Sequence, residues 1–233
     1  LSKILGLFFL QYCNWLSTSL GITQYNRQSI IVVGGFLFLI NAILLITQWH
    51  ALWRHIKQQL TIFLLTEIVF LVFFLAALVI RMYSPDITGA EKEADFTFLN
   101  ALLHSDSFPP KDTWFAGAPI NYYYFGYLLW STMIHLTGII APIGFNLAVI
   151  TIVALSAAGV FGLVYARTQK KTYSLLASLF LGALGNLDGL VQIVQRRGNL
   201  LPFDWWRSSR VIPATINEFP FFSFLLGDLH AHF

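Results

Sequence analysis

Charge is scarce in this sequence. Asp, Glu, Lys and Arg make up 11% of the 233 residues, less than half of the roughly 25% carried by a soluble domain. Too few charged side chains remain to cover a water-facing surface, which excludes an ordinary soluble globule. The same shortage excludes a disordered or nucleic-acid-binding module. Cysteine is nearly absent as well. Cys13 alone leaves no intramolecular disulfide and no Cys-based zinc site, and in its apolar run it reads as a small buried hydrophobe. Also missing are an initiator Met and the basic n-region of a signal peptide before Leu1. At the other end the sequence stops within the run Gly227-Asp228-Leu229-His230-Ala231-His232. Both ends are expected to be cuts, and the chain a piece of a longer membrane protein.

What is present is apolar. Hydrophobic residues make up 57% and aromatics 16%, with a mean hydropathy of +0.68. The net charge of +3 and pI near 9.0 report orientation in a bilayer and carry no sign of a nucleic-acid partner. A membrane-crossing helix needs about 20 predominantly apolar residues. Residues 4–22, 29–48, 61–80, 145–166 and 173–187 are the expected spans. The first is the weakest, because Gln11 and Asn14 interrupt it, and Glu67 is the one acid inside a clear span. Close Gly, Ala and Ser spacing in 156–162 and 182–185 suits tight helix packing. None of these runs alternates with the period of a strand, so the fold class is all-α, a polytopic membrane helix bundle in the cell membrane.

The topology turns on residues 122–139, within a stretch from Thr113 to Ala166 that holds no Asp, Glu, Lys or Arg. His50, Arg54, His55 and Lys57, with Trp49 and Trp53 as interface anchors, mark residues 49–60 as cytoplasmic. Residues 61–80 then run outward. If 122–139 crossed, the basic turn Arg167–Lys171 would fall outside, against the positive-inside rule. Lying flat in the interface, as its Tyr-rich start, Trp130 and His135 suit, it leaves that turn inside. The expected arrangement is an outer loop of 81–144 with an interfacial helix, and a second outer loop of 188–222. Every acid but Glu67 then lies on the outer side.

Three outer stretches hold chemistry-bearing residues. In 89–96, Glu91 and Asp95 stand four apart and would share a helix face as an acid/base or metal-binding pair; a solvated helix start enriched in acids is the commoner source of such spacing. In 108–126, prolines and glycines exclude a regular helix before Asn121. There Tyr122, Tyr123 and Tyr124 offer flat faces and hydroxyl edges to a carbohydrate or headgroup, or else form an aromatic belt. The third stretch runs from Gly185 to the end. Arg207 and Arg210 beside Trp205 would clamp a phosphate, although Arg196 and Arg197 read well as interfacial anchors. Asp228, His230 and His232 are good ligand types for a divalent metal, Mg or Mn. Ionisable groups at a membrane edge are costly and tend to be functional.

In these stretches the sequence resembles a known family. The strings are Glu91-Lys92, Asp95-Phe96, Phe98-Leu99-Asn100-Ala101, Phe108-Pro109-Pro110, Trp114-Phe115-Ala116-Gly117 and Ile120-Asn121-Tyr122-Tyr123-Tyr124-Phe125-Gly126. Further on come Gly185-Asn186-Leu187-Asp188-Gly189, Trp205-Trp206, Ser209-Arg210-Val211-Ile212-Pro213, Ile216-Asn217-Glu218-Phe219-Pro220 and the terminal Asp228-Leu229-His230-Ala231-His232. Together they resemble the uncharacterised "YYY" membrane protein family, densely over 89–233. That family is grouped with the GT-C class of integral membrane glycosyltransferases, which take a sugar from a polyprenyl-phosphate carrier at the outer face. The resemblance implies a GT-C-like bundle with catalytic Asp95, Glu91 and Asp188. It implies a donor or acceptor bound by Asn121, Tyr122–Tyr124, Trp205, Arg207, Arg210 and Glu218, with membrane lipid as a partner. Pro119-Ile120-Asn121 holds a single proline where the class commonly has a pair, so the catalytic assignment rests on position. Two other functions fit the composition. A transporter or flippase of a lipid-linked substrate would use the acids and histidines as an ion path. A metal-dependent membrane hydrolase would centre on Asp228, His230 and His232.

Overall fold

The structure, a computed structural model, describes residues 1–199, 201 and 203–229. All of its regular secondary structure there is helical, as the absence of alternating patterns implies. Three helices are long and apolar enough to cross a membrane: α2 (Arg27–Thr47), α3 (Trp49–Tyr83) and α6 (Ala141–Thr168). They are preceded by α1 (Ser2–Ser19). Asn26 starts α2 by accepting a hydrogen bond from the Ser29 amide at 3.0 Å, which satisfies one of the otherwise orphaned first-turn donors. Helix α3 begins well before the apolar run at 61–80. Its first three turns are polar but contain no Gly or Pro to stop them.

Antiparallel neighbours follow from the side-chain contacts. Arg81 near the end of α3 donates through Nε to Asn146 in the first turns of α6, at 2.5 Å. Helix α7 (Lys171–Gly182) returns along α6, and Ser178 Oγ donates to the Ala157 carbonyl at 2.8 Å. Gly182 sits against the Phe73 ring so closely that any Cβ would collide with it, the use of small residues where helices approach. The polar start of α3 and the turn Arg167–Lys171 therefore lie at one end of the bundle, and the segment after Tyr83 lies at the other. Helix α7 stops at Gly182 although the sequence stays apolar to Leu187; hydropathy reports the surroundings of a residue, whereas Gly182 and Gly185 weaken the helix itself.

At the end beyond Tyr83 two short helices fill the segment between α3 and α6: α4 (Lys92–Leu103) and α5 (Phe125–Thr137). Thirteen residues rise only about 20 Å, short of the roughly 30 Å hydrocarbon core, so α5 is too short to cross. Its Tyr127, Leu128, Trp130, Ser131, Thr132 and Ile134 are buried, packed by α4, α6, the later turns of α1 and the start of α2 into the main core with Leu99, Leu102 and Phe145. Helix α5 is thus embedded in protein on much of its surface. Tyr25, in the α1–α2 link, pins it: the phenol oxygen lies 2.6 Å from Ser131 Oγ and 2.9 Å from Thr132 Oγ1. Burial pushes that hydroxyl up to about 12. A second cluster joins Val69 to Ala157 and Phe161. The chain finishes with α8 (Asp188–Gln195), a 3-10 turn at Arg207–Ser209 and α9 (Pro220–Leu226).

Candidate functional site

Asp95 occupies the first turn of α4, where a carboxylate is favoured by the helix dipole. It is almost fully buried. Its Oδ1 accepts a hydrogen bond from the Tyr127 phenol at 2.6 Å, and its Oδ2 accepts one from the Leu229 amide at 2.9 Å. Two helices and the far end of the chain thus meet on one carboxylate. Burial, then the adjacent Asp95 charge, drives the Tyr127 hydroxyl far above its ordinary range, so it stays a proton donor. Glu91 does not share the buried position: it is the exposed residue before α4 begins, and its carbonyl accepts from the Asp95 amide at 3.0 Å. The two differ in burial because Glu91 caps the helix and Asp95 lies inside its first turn.

The tyrosine triplet stands at the mouth of a cavity of about 580 Å³ between α1, α5 and α6. Its wall is mostly apolar, with Phe8, Trp15, Leu129 and Ile152 among the lining residues, and Leu229 closes it on the Asp95 side. Tyr122 stacks on Phe98, rings 5.2 Å apart. Burial raises its hydroxyl pKa, with the charges of Glu91, Asp95 and Glu218 adding to the shift. Tyr124 accepts from the Trp15 indole at 3.0 Å. Tyr123, which lines the cavity, and Asn121 are both exposed. The irregular backbone expected before Asn121 is present, closed by an isolated bridge between Lys111 and Pro119.

Asp188 belongs to a different network. It accepts from Arg207 Nε at 2.8 Å and from Gln192 Nε2 at 2.8 Å. Gln192 is fully buried and also binds both the amide and the carbonyl of Asp204, at 3.0 and 2.9 Å. This knot ties α8 to the turn that follows it. Arg210 lies 5.9 Å over Trp206 rather than Trp205, and donates to Ser209 Oγ at 2.6 Å. Trp205 is exposed against Phe203.

Asp228 is buried and faces the Arg81 guanidinium, whose position Gly227 permits: a Cβ there would lie 2.6 Å from Nη1. Arg81 also donates to the carbonyls of Ser84 and Asp86, at 2.5 and 3.1 Å. A permanent cation beside Asp228 is a poor neighbour for a divalent metal. Among the described residues no three His, Cys, Asp or Glu side chains group to hold one. His230 and His232, the other expected ligands, lie outside the described residues. Tyr127, Arg81 and the Leu229 amide are the site residues that sequence reasoning missed. Only Tyr127 carried a local signal, one helical turn beyond the tyrosine triplet.

A bundle of long apolar helices with one polar, helical end defines an integral membrane protein. The chain belongs to the uncharacterized membrane protein family DUF2298, whose model matches residues 9–233. No curated protein and no solved structure matches it. The expectation of an uncharacterised integral membrane family holds at this level.

Proposed function

We propose that the protein is a membrane glycosyltransferase of GT-C type, moving a sugar from a polyprenyl-phosphate donor to an acceptor hydroxyl at the extracytoplasmic face. The observation that carries the reading is the position of Asp95. A buried carboxylate lies behind the wall of an apolar cavity lined in part by the tyrosine triplet, and the positive-inside reading puts nearly all the acids on that same side of the membrane. An apolar cavity among membrane helices suits an isoprenoid chain, and tyrosine faces suit a sugar ring.

Asp95 acts as general base. It takes the proton of the acceptor hydroxyl as that oxygen attacks the anomeric carbon, and the bond from that carbon to the phosphate oxygen breaks. The leaving polyprenyl phosphate takes the bonding electrons and is met by Arg210. Glu91, Tyr122, Tyr123, Asn121, Trp205 and Glu218 hold the sugar and acceptor at the rim. Asp188 and Arg207 shape the second outer loop through their mutual ion pair. The membrane-crossing assignment of 4–22 and 173–187 belongs to this same reading. A transporter reading draws less support, because Glu67, the one acid within a clear span, pairs with Lys3, whose ammonium also lies 4.5 Å over the Phe70 ring.

The test is Asp95→Asn in the full-length protein, reconstituted with a polyprenyl-phosphate sugar. Transfer to an acceptor is expected to fall by two orders of magnitude or more, the scale on the order of 10²–10⁴ for a lost acid/base group. Retained transfer overturns the assignment.

A further inference from the structure

Helix α8 is strongly two-sided. At 100° per residue, Asp188, Gln192 and Gln195 fall on one face, Leu190, Ile193 and Val194 fall opposite, and Val191 lies at the flank beside Gln195. The polar face is fully engaged by the protein. Gln192 and Asp188 bind Asp204 and Arg207, and Gln195 accepts from Arg207 Nη1 at 3.3 Å. The apolar face is left in the open: Leu190 is 58% and Val194 68% exposed. A polar knot that turns four aliphatic side chains outward does the reverse of what water favours.

We propose that α8 lies in the plane of the membrane, with its aliphatic face in the outer-leaflet acyl region of a bilayer carrying anionic lipid. Two observations commit the face to lipid. First, the segment leading into the helix also exposes large apolar side chains, Leu175, Leu179, Phe180, Leu184 and Leu187, in a chain of a membrane protein family. Second, Arg196 and Arg197 end the helix, and among the described residues neither forms an ion pair; lipid phosphates at the headgroup level suit such cations. Amphipathic in-plane helices combine these traits: an aliphatic face, a polar face and cations at the headgroup level. The inference does not depend on the transferase reading.

Site-directed spin labels test it in the full chain, on a Cys13→Ser background, in lipid nanodiscs of equal parts phosphatidylcholine and phosphatidylglycerol. Labels at Leu190→Cys and Val194→Cys are expected to collide readily with oxygen, and several-fold less with a water-soluble nickel chelate than a label at Gln195→Cys. Ile193→Cys gives the same readout if either variant fails to fold. Equal nickel access at 190, 194 and 195 would place the helix in water and overturn the proposal. Shielding of 190 and 194 from both reagents would show a protein cover, a second copy or further helices, and would overturn it equally.

Discussion

The Tyr127 phenol donates to Asp95 Oδ1 at 2.6 Å with both side chains removed from solvent. A hydrogen bond to the charged form of a carboxylate lowers its proton affinity. Tyr127→Phe removes that donor, so the Asp95 pKa is expected to rise and the acid limb of the pH–activity profile to move to higher pH. Loss of a buried hydrogen bond to a charged group also costs about 1.5–3 kcal/mol. Thermal unfolding in detergent and the pH profile of transfer check the two effects separately.

Tyr25 gives a pH prediction at the alkaline end. Its hydroxyl ionises at about 12 in the folded protein, against an ordinary 10.0. The folded state therefore holds this proton more tightly than the unfolded chain does. The associated stability is fully present below pH 10 and is expected to fall as the pH rises from 10 toward 12. Tyr25→Phe should remove this dependence and cost about 1–3 kcal/mol, chiefly through the buried Thr132 hydroxyl that loses its partner, since Ser131 Oγ keeps the Leu128 carbonyl. Phenolate absorbance against pH, with unfolding midpoints of both proteins, measures it.

The Asp188–Arg207 pair separates a structural role from a chemical one. If the pair only ties α8 to the following turn, exchanging the two residues (Asp188→Arg with Arg207→Asp) restores much of what either single change loses. Limited proteolysis of the segment after Gln195 reads the loop, and transfer activity reads the chemistry. A double variant with an intact loop and no transfer would assign Asp188 to the reaction. Gln192→Ala, which strands the amide and carbonyl of Asp204, is expected to loosen the same segment by about 1–3 kcal/mol.

Gly227 takes a positive φ of 75° with the Arg81 guanidinium against it. Gly227→Ala meets both a left-handed backbone, about 1–2 kcal/mol for a residue with a Cβ, and a steric clash with Arg81. The substitution is expected to lower the melting temperature and to disturb the bond from Leu229 to Asp95. Amide hydrogen exchange at Leu229 should accelerate relative to the unchanged protein.

The apolar helices were legible because each needs only local composition. Residues 29–48 and 145–166 fall almost on α2 and α6. The polar first turns of α3 escaped a reading built on hydropathy, and α7 ended before its apolar run did. Asp95 stood out as an acid at a helix start. Its partners did not, since Tyr127 is 32 residues away and Leu229 is 134 away, and no periodicity encodes such a meeting. The spacing of Glu91 and Asp95 was legible as helical; that Glu91 caps the helix while Asp95 is buried inside its first turn was not. Arg81 looked like a loop boundary, and only packing reveals it as the support behind Gly227 and Asp228.

Leu229 belongs to two places at once, its amide on Asp95 and its side chain in the cavity wall. A displacement of that one residue changes the shape offered to an occupant and the number of donors steadying the carboxylate in the same motion. Occupancy and proton affinity are therefore thermodynamically linked through a single peptide unit: whatever pushes Leu229 aside makes Asp95 a stronger base.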